Sequence, residues 1–275
     1  SPERLVAELR DMNEQWGLES FMFYDDEFNL NAGKTIALCE ALAETGFNYR
    51  GFVKSDLLAK NPEVAPAMAA AGFVEVLSGF ESGSERILGR HLNKGTSPRI
   101  NYQAAKVCLE AGLDLKALTM IGHTSETPRD VMETRDWLLR VGKMYQNKKG
   151  PGHFTFDLTV FQPYAGCPIW DNAERNTGEF SEEYGWEYVT RRKGVVVDPA
   201  HGGLFFNKVN FAEESGFYKG IPGQYKAFIR TQHMPAEQMV HMRDGIEWDV
   251  RDRLGMQQLV PKTAATQHDQ SMGQS

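Results

Sequence analysis

The stretch best equipped for chemistry is Gly79-Phe80-Glu81-Ser82-Gly83-Ser84-Glu85-Arg86-Ile87-Leu88. The apolar run Phe73-Val74-Glu75-Val76-Leu77 ahead of it predicts a buried strand that stops at Ser78-Gly79. Ser84 reads as a helix N-cap, with Glu85 in the first turn and Ile87-Leu88 on the apolar face. Glycines at such a junction let a ligand approach the backbone, and free N–H groups at a helix start favour an anionic group. Glu81 adds an acceptor for an ammonium or for hydroxyls. A site with both characters suits a zwitterion or a nucleoside better than a simple phosphate. An ordinary strand-to-helix loop remains the plainer alternative on this stretch alone.

Elements of regular spacing must position these groups. Residues 2–16 form a predicted helix with Leu5, Val6, Leu9, Met12 and Trp16 on one face, closed by Gly17. The strand Ser20-Phe21-Met22-Phe23-Tyr24 then runs into Asp25-Asp26-Glu27, acids that must be solvated, paired or used. Helices are expected over 33–44, 62–71, 98–111 and 127–145, and strands over 49–54, 115–121 and 154–161. Three helix-to-strand junctions are near copies: Glu44-Thr45-Gly46-Phe47, Ala70-Ala71-Gly72-Phe73 and Glu110-Ala111-Gly112-Leu113. Strands alternating with helices imply an α/β fold with a parallel sheet and right-handed crossovers. Ligands of such sheets collect at the carboxyl ends of the strands. The polar clusters fall there: Asp25-Asp26, Lys54 and Asp56, Glu81-Ser82, Gly122 to Glu126, and Gln162-Pro163-Tyr164.

A net charge of -7 argues against a nucleic-acid binder held by phosphate contacts. No apolar run reaches the roughly 18 residues of a membrane span, and no signal-peptide pattern opens the chain. Cys39, Cys108 and Cys167 are odd in number and far apart, neither a disulfide framework nor a closely spaced metal motif, so a reducing cytoplasm is expected. The character changes near residue 171. Residues 172–258 read as an α+β cap over a substrate, with a helix over 235–254 carrying Met239, Met242, Ile246 and Val250 on one side. Residues 259–275 read as a disordered tail. Trp186, Tyr188, Phe205, Phe206, Tyr218 and Tyr225 suit packing or a substrate cover; His201-Gly202-Gly203 and Arg191-Arg192 are further candidates. A lone loop histidine such as His123 is expected to be solvated.

Four segments together resemble the radical S-adenosylmethionine (SAM) superfamily, in particular members with a cobalamin-binding domain ahead of the barrel. They are Phe23-Tyr24-Asp25-Asp26-Glu27-Phe28 with Asn31, Gly79 to Ser84, Met120-Ile121-Gly122-His123-Thr124-Ser125-Glu126-Thr127, and Phe161-Gln162-Pro163-Tyr164-Ala165-Gly166-Cys167-Pro168. The resemblance covers residues 1–171 and implies a partial (β/α) barrel of five βα units that lacks the first strand. By position it implies that Asp25 and Asp26 hold the methionine amino group of SAM. Glu81, Ser82 and Ser84 would meet its carboxylate and ribose, while Ile121, Gly122, Gln162 and Pro163 would line its adenine. These chemistries agree, since an amine wants a carboxylate and ribose hydroxyls want Glu or Ser.

The family's Cys-x3-Cys-x2-Cys loop, which holds its 4Fe-4S cluster, has no counterpart here. With Ser1 in place of an initiator Met, a missing N-terminal segment bearing that loop and a cobalamin domain is expected. The resemblance thus implies the C-terminal portion of a cobalamin-type radical SAM enzyme, methyltransferase-like and acting on a small molecule. This chain alone would be inactive without the cluster. A radical methylthiotransferase-like enzyme, a cluster-free SAM-binding scaffold, and a barrel hydrolase with Asp25, Asp26 and Glu81 on a metal are the other readings. A basic RNA-binding tail is missing for the first of these, and paired histidines for the last.

Overall fold

The computed structural model describes residues 1–92, 94–148, 150–164, 186–189, 191–192, 195–196, 203–206, 223, 225–231 and 233–259. Five strands form one sheet in consecutive order: β1 (Ser20–Phe23), β2 (Asn48–Phe52), β3 (Phe73–Glu81), β4 (Asp114–Ile121) and β5 (Phe154–Val160). β1 pairs with β2 and β2 with β3 in parallel, Gly51 standing beside both Phe23 and Val76. Helices connect them: α1 (Pro2–Trp16) precedes the sheet, and α2 (Ala32–Ala43), α3 (Ser55–Lys60), α4 (Val64–Ala71), α5 (Pro98–Ala111) and α6 (Pro128–Asn147) fill the crossovers. This is the five-unit α/β sheet expected of a partial barrel.

The repeated glycine junctions have a backbone cause. Gly72 and Gly112 close α4 and α5 with φ of 102° and 80°, a left-handed region that side chains disfavour. A Cβ at Gly72 would also strike the Phe47 carbonyl oxygen.

The chain divides into two compact units. The first comprises Ser1–Phe80, Gly95–Leu118 and Arg140–Phe156. Its core joins helix residues Leu42, Leu58 and Met68 to an aromatic cluster in which Tyr49 and Phe73 lie 5.5 Å apart and Phe28 and Phe73 4.9 Å. A buried polar staple fixes the far end of β3. Asn101 on α5 accepts from Ser55 (2.7 Å) and Thr96 (2.9 Å) and donates to the Phe80 carbonyl (3.2 Å).

The second unit comprises Glu81–Lys94, Thr119–Leu139 and the described residues from Asp157 onward. Three short strands, β6 (Trp186–Val189), β9 (Gly203–Phe206) and β10 (Ile229–Thr231), make an antiparallel sheet in the order β10-β9-β6. β7 (Arg191–Arg192) pairs with β8 (Val195–Val196). Helix α7 (Ala236–Arg253) buries Met239, Ile246 and Val250 of the expected stripe, while Met242 is only half-buried. Its Arg243 donates to the Leu158 carbonyl (2.9 Å), and Tyr225 accepts from the Val160 N–H (2.7 Å). Side chains thereby take backbone groups of β5, the last strand in the order, that a further strand would otherwise use. Tyr225 is packed in this role, as one of the two sequence readings had it. The tail over 260–275, Tyr218, His201-Gly202 and the boundary expected at 171/172 lie outside the described residues. Among the described residues no helix is long and apolar enough to cross a membrane.

Several sequence expectations are corrected. β3 does not stop at Ser78-Gly79 but runs on to Glu81. Pro235 is the N-cap of α7, extended at ψ 159°, and not its first helical residue. α3 was not legible, because six residues are too few to show a helical period.

Candidate functional site

Glu81 is the last residue of β3 and has φ 60°, a conformation rare outside glycine. Its carboxylate pairs with Lys94, which returns to it from beyond the π-helical turn Ile87–Leu92. The next residues point inward. Ser82 and Ser84 are fully buried. The Ser82 hydroxyl lies 3.1 Å from that of Thr134 and accepts from the Ser84 N–H (3.1 Å), while Ser84 donates to Asp130 (2.8 Å). These hydroxyls fix the turn to α6. Ser84 also precedes only two α-helical residues before the π-helical turn; its carbonyl accepts from Leu88 (3.0 Å). Gly83 has its own reason for lacking a side chain. A Cβ there would meet the Glu133 carbonyl oxygen at 2.5 Å and Thr134 Cα at 2.6 Å, so the glycine is required by α6 rather than by a ligand.

The turn after β4 is equally built. Thr127 and Asp130 form a reciprocal cap at the start of α6, the Thr127 N–H donating to Asp130 Oδ2 at 2.9 Å. Burial opposes ionisation of Asp130, yet donors from Arg86, Thr127 and Ser84 outweigh it and hold the carboxyl well below the usual range. Arg86 also donates to the Ser125 carbonyl (2.8 Å), and Ser125 has φ 60°. The Glu126 side chain accepts from the backbone N–H groups of Gly122 and His123, the latter at 3.2 Å. Its other oxygen, Oε1, is buried without a hydrogen-bond partner. His123, expected to be solvated, is buried with Nε2 3.1 Å from the Met120 carbonyl oxygen and its ring beside Phe161. Ile121, Gly122, Gln162 and Pro163 are all buried; the Ile121 carbonyl accepts from Phe161 (2.7 Å).

In the first unit Asp25 and Asp26 are exposed after β1. The third acid, Glu27, is paired with Lys54 at 3.3 Å. Asn29 orders this corner by bonding both the N–H (2.8 Å) and the carbonyl (3.0 Å) of Lys54.

Sequence reasoning missed Lys94, Asp130 and Thr134. The latter two stand at i and i+4 on α6, where a polar pair reads as solvated surface. Only the tertiary contact with Ser82 and Ser84 reveals them. Lys94 lies thirteen residues beyond its partner and carries no local signature.

A family model for the radical SAM superfamily matches residues 1–138, half of the chain. The chain belongs to the radical SAM superfamily. Among curated proteins it is 28% identical over 199 residues to an uncharacterized methyltransferase of Pyrococcus horikoshii, covering 72% of this chain and 39% of that protein. It is also 27% identical over 146 residues to the anaerobic magnesium-protoporphyrin IX monomethyl ester cyclase of Rubrivivax gelatinosus, covering 50% and 25%. This radical SAM chain thus spans less than half the length of either relative. Two solved structures of the radical SAM methyltransferase TsrM from Kitasatospora setae share its fold. One, with cobalamin and a 4Fe-4S cluster, has TM-score 0.52 at 17% identity, covering 64% of this chain and 31% of that one. The other, with tryptophan and a SAM analogue, has TM-score 0.51 at 20% identity, covering 72% and 37%.

A radical SAM family implies an iron–sulfur cluster, and the described cysteines do not fit one. Cys39 and Cys108 are buried in α2 and α5, and burial pushes both thiols up to about 12. Cys167 lies outside the described residues. Among the described residues no group of three or more His, Cys, Asp or Glu could hold a metal ion. Alkylation of the native protein with iodoacetamide at pH 8, read by peptide mapping, should leave Cys39 and Cys108 unmodified until denaturant is added. Rapid native labelling of either would contradict their burial.

Proposed function

We propose that this chain binds SAM and forms part of a cobalamin-type radical SAM enzyme that transfers methyl groups to a small molecule. The observation that carries the binding reading is the end of β3. There a carboxylate at φ 60° and a paired ammonium, Glu81 and Lys94, stand together on a turn that buried hydroxyls hold in place. Glu81 would accept from the ribose hydroxyls, and Lys94 would take the SAM carboxylate. Ser82 and Ser84 would act by shaping the turn, and the backbone edges at Ile121, Gly122, Gln162 and Pro163 would face the adenine. Asp25 and Asp26 would hold the amino group. The cobalamin and methyl-transfer parts of the reading are supported by the TsrM structures and the Pyrococcus methyltransferase. This chain's residues would bind and orient SAM. SAM binding measured by calorimetry should weaken roughly tenfold in Glu81→Ala and in Asp26→Ala, the loss of about 1.4 kcal/mol each. Wild-type affinity in both variants would overturn the assignment.

A further inference from the structure

The turn Ile121–Glu126 is held from two sides, both within the second unit. From within, Glu126 Oε2 accepts from Gly122 and His123. From outside, the Thr231 hydroxyl of β10 donates to the Glu126 carbonyl at 3.2 Å. Gly122, at φ 89°, is pressed so closely that a Cβ would meet Ile229 Cδ1 at 2.7 Å and Met239 Sδ at 3.1 Å. Glu126 itself is fully buried, with Oε1 lacking any partner.

We propose that Glu126 and Thr231 are positioning residues for SAM, a two-sided clamp that sets the affinity of the Ile121–Gly122 turn without touching the ligand. The inference deepens the SAM reading above and rests on it. It also gives the C-terminal segment a task beyond covering a substrate, because β10 and α7 form the outer jaw.

The carboxyl makes the inner jaw sensitive to pH. Burial pushes Glu126 up to about 8, against the Gly122 and His123 N–H groups that favour its ionised form. Among the described residues, two charged groups act on it. Asp130 of α6 opposes ionisation, and Arg86, which is already engaged with Asp130 and Ser125, favours it. β10 and α7 pack the uncharged Thr231, Ile229 and Met239 against the turn, and β10 also carries Arg230 beside Thr231 in the chain. The folded state thus holds a proton that the unfolded chain releases above its ordinary value of 4.5. Stability contributed by this group is therefore lost as pH rises from 4.5 to 8. Above that range a charge sits in a site with no further donor, and the turn must loosen to solvate it.

The test is SAM binding to the whole chain between pH 6.5 and 9, with wild type, Glu126→Gln, Glu126→Ala and Thr231→Val. Glutamine keeps the acceptor and removes the titration. Glu126→Gln should match wild type within about twofold at pH 7, and wild type should fall roughly tenfold relative to it by pH 9. This ratio cancels the titration of SAM itself. Glu126→Ala should bind roughly tenfold weaker at every pH and Thr231→Val about fivefold weaker. A ratio of wild type to Glu126→Gln that is flat with pH, or wild-type affinity in Thr231→Val, would overturn the clamp even if Glu126→Ala does not fold. Absence of SAM binding in wild type would instead sink the function proposed above. Thermal unfolding then decides the inner jaw. The melting temperature of wild type should drop by several degrees relative to Glu126→Gln between pH 5 and 8, and a constant difference would refute it.

Discussion

Replacing Arg243 with leucine is expected to destabilise the protein by about 3–5 kcal/mol, the cost of leaving the buried Asp244 without its cation and Glu247 with Arg251 alone. Arg243 is 4% exposed and bonds Asp244 at 2.7 Å, with Glu247 at 3.9 Å. Its guanidinium lies 4.6 Å from the Tyr225 ring centroid and its Nε serves the Leu158 carbonyl. No lysine could fill all four roles, since they need the planar fork; Arg243→Lys should fall between wild type and leucine. Burial already raises Glu247 above the usual carboxylate range, despite Arg251 and Arg243. Removing a cation raises it further. The leucine variant should therefore lose less stability at pH 5, where Glu247 can take a proton, than at pH 8. Denaturant unfolding at the two pH values measures this. A loss under about 1 kcal/mol at pH 8 would show that α7 does not depend on the network.

Gly83→Ala is expected to cost about 3 kcal/mol or more, at the upper end for overpacking. The added methyl meets the Glu133 carbonyl oxygen at 2.5 Å, Thr134 Cα at 2.6 Å and Trp137 Cβ at 2.7 Å. Two of these atoms are backbone of α6 and cannot swing aside. Gly89→Ala is the control, since a Cβ there meets nothing within 4 Å and alanine restricts the unfolded chain. The pair also separates two explanations for the glycine. A glycine kept for ligand approach would, on substitution, lose SAM affinity at unchanged stability. One kept for helix packing loses stability first. Equal unfolding midpoints for Gly83→Ala and wild type would restore the ligand explanation.

Gly83→Ala bears on how the end of β3 is held. Phe80 is held by Asn101, and Gly83 and Ser84 are held by Thr134 and Asp130. Glu81 lies between these anchors in a backbone state it would rarely choose, and that constraint presents its carboxylate beside Lys94. Strain of this kind persists only where flanking residues over-determine it.

The sequence by itself determined the alternation of strands and helices, because apolar runs and helical periods are local properties and glycines at Gly72 and Gly112 mark the helix ends directly. It also pointed to the family, through four short segments at the ends of β1, β3, β4 and β5, and the family match over residues 1–138 bears out the family. What only the tertiary structure decided is how each polar residue is used. Ser82, Ser84, Asp130 and Thr134 are distant in the chain yet satisfy one another, and no periodicity encodes a hydrogen bond between elements. His123 is buried rather than solvated because Phe161, 38 positions on, stands beside its ring. Gly83, read as room for a ligand, is room for a helix. Glu81 alone reads as a generic acceptor; paired with Lys94 and held at φ 60°, it gains a fixed direction and an ionic partner. The difference is physical: secondary structure follows from neighbours in the chain, whereas the chemistry of a side chain follows from burial and from partners that only the folded chain brings near.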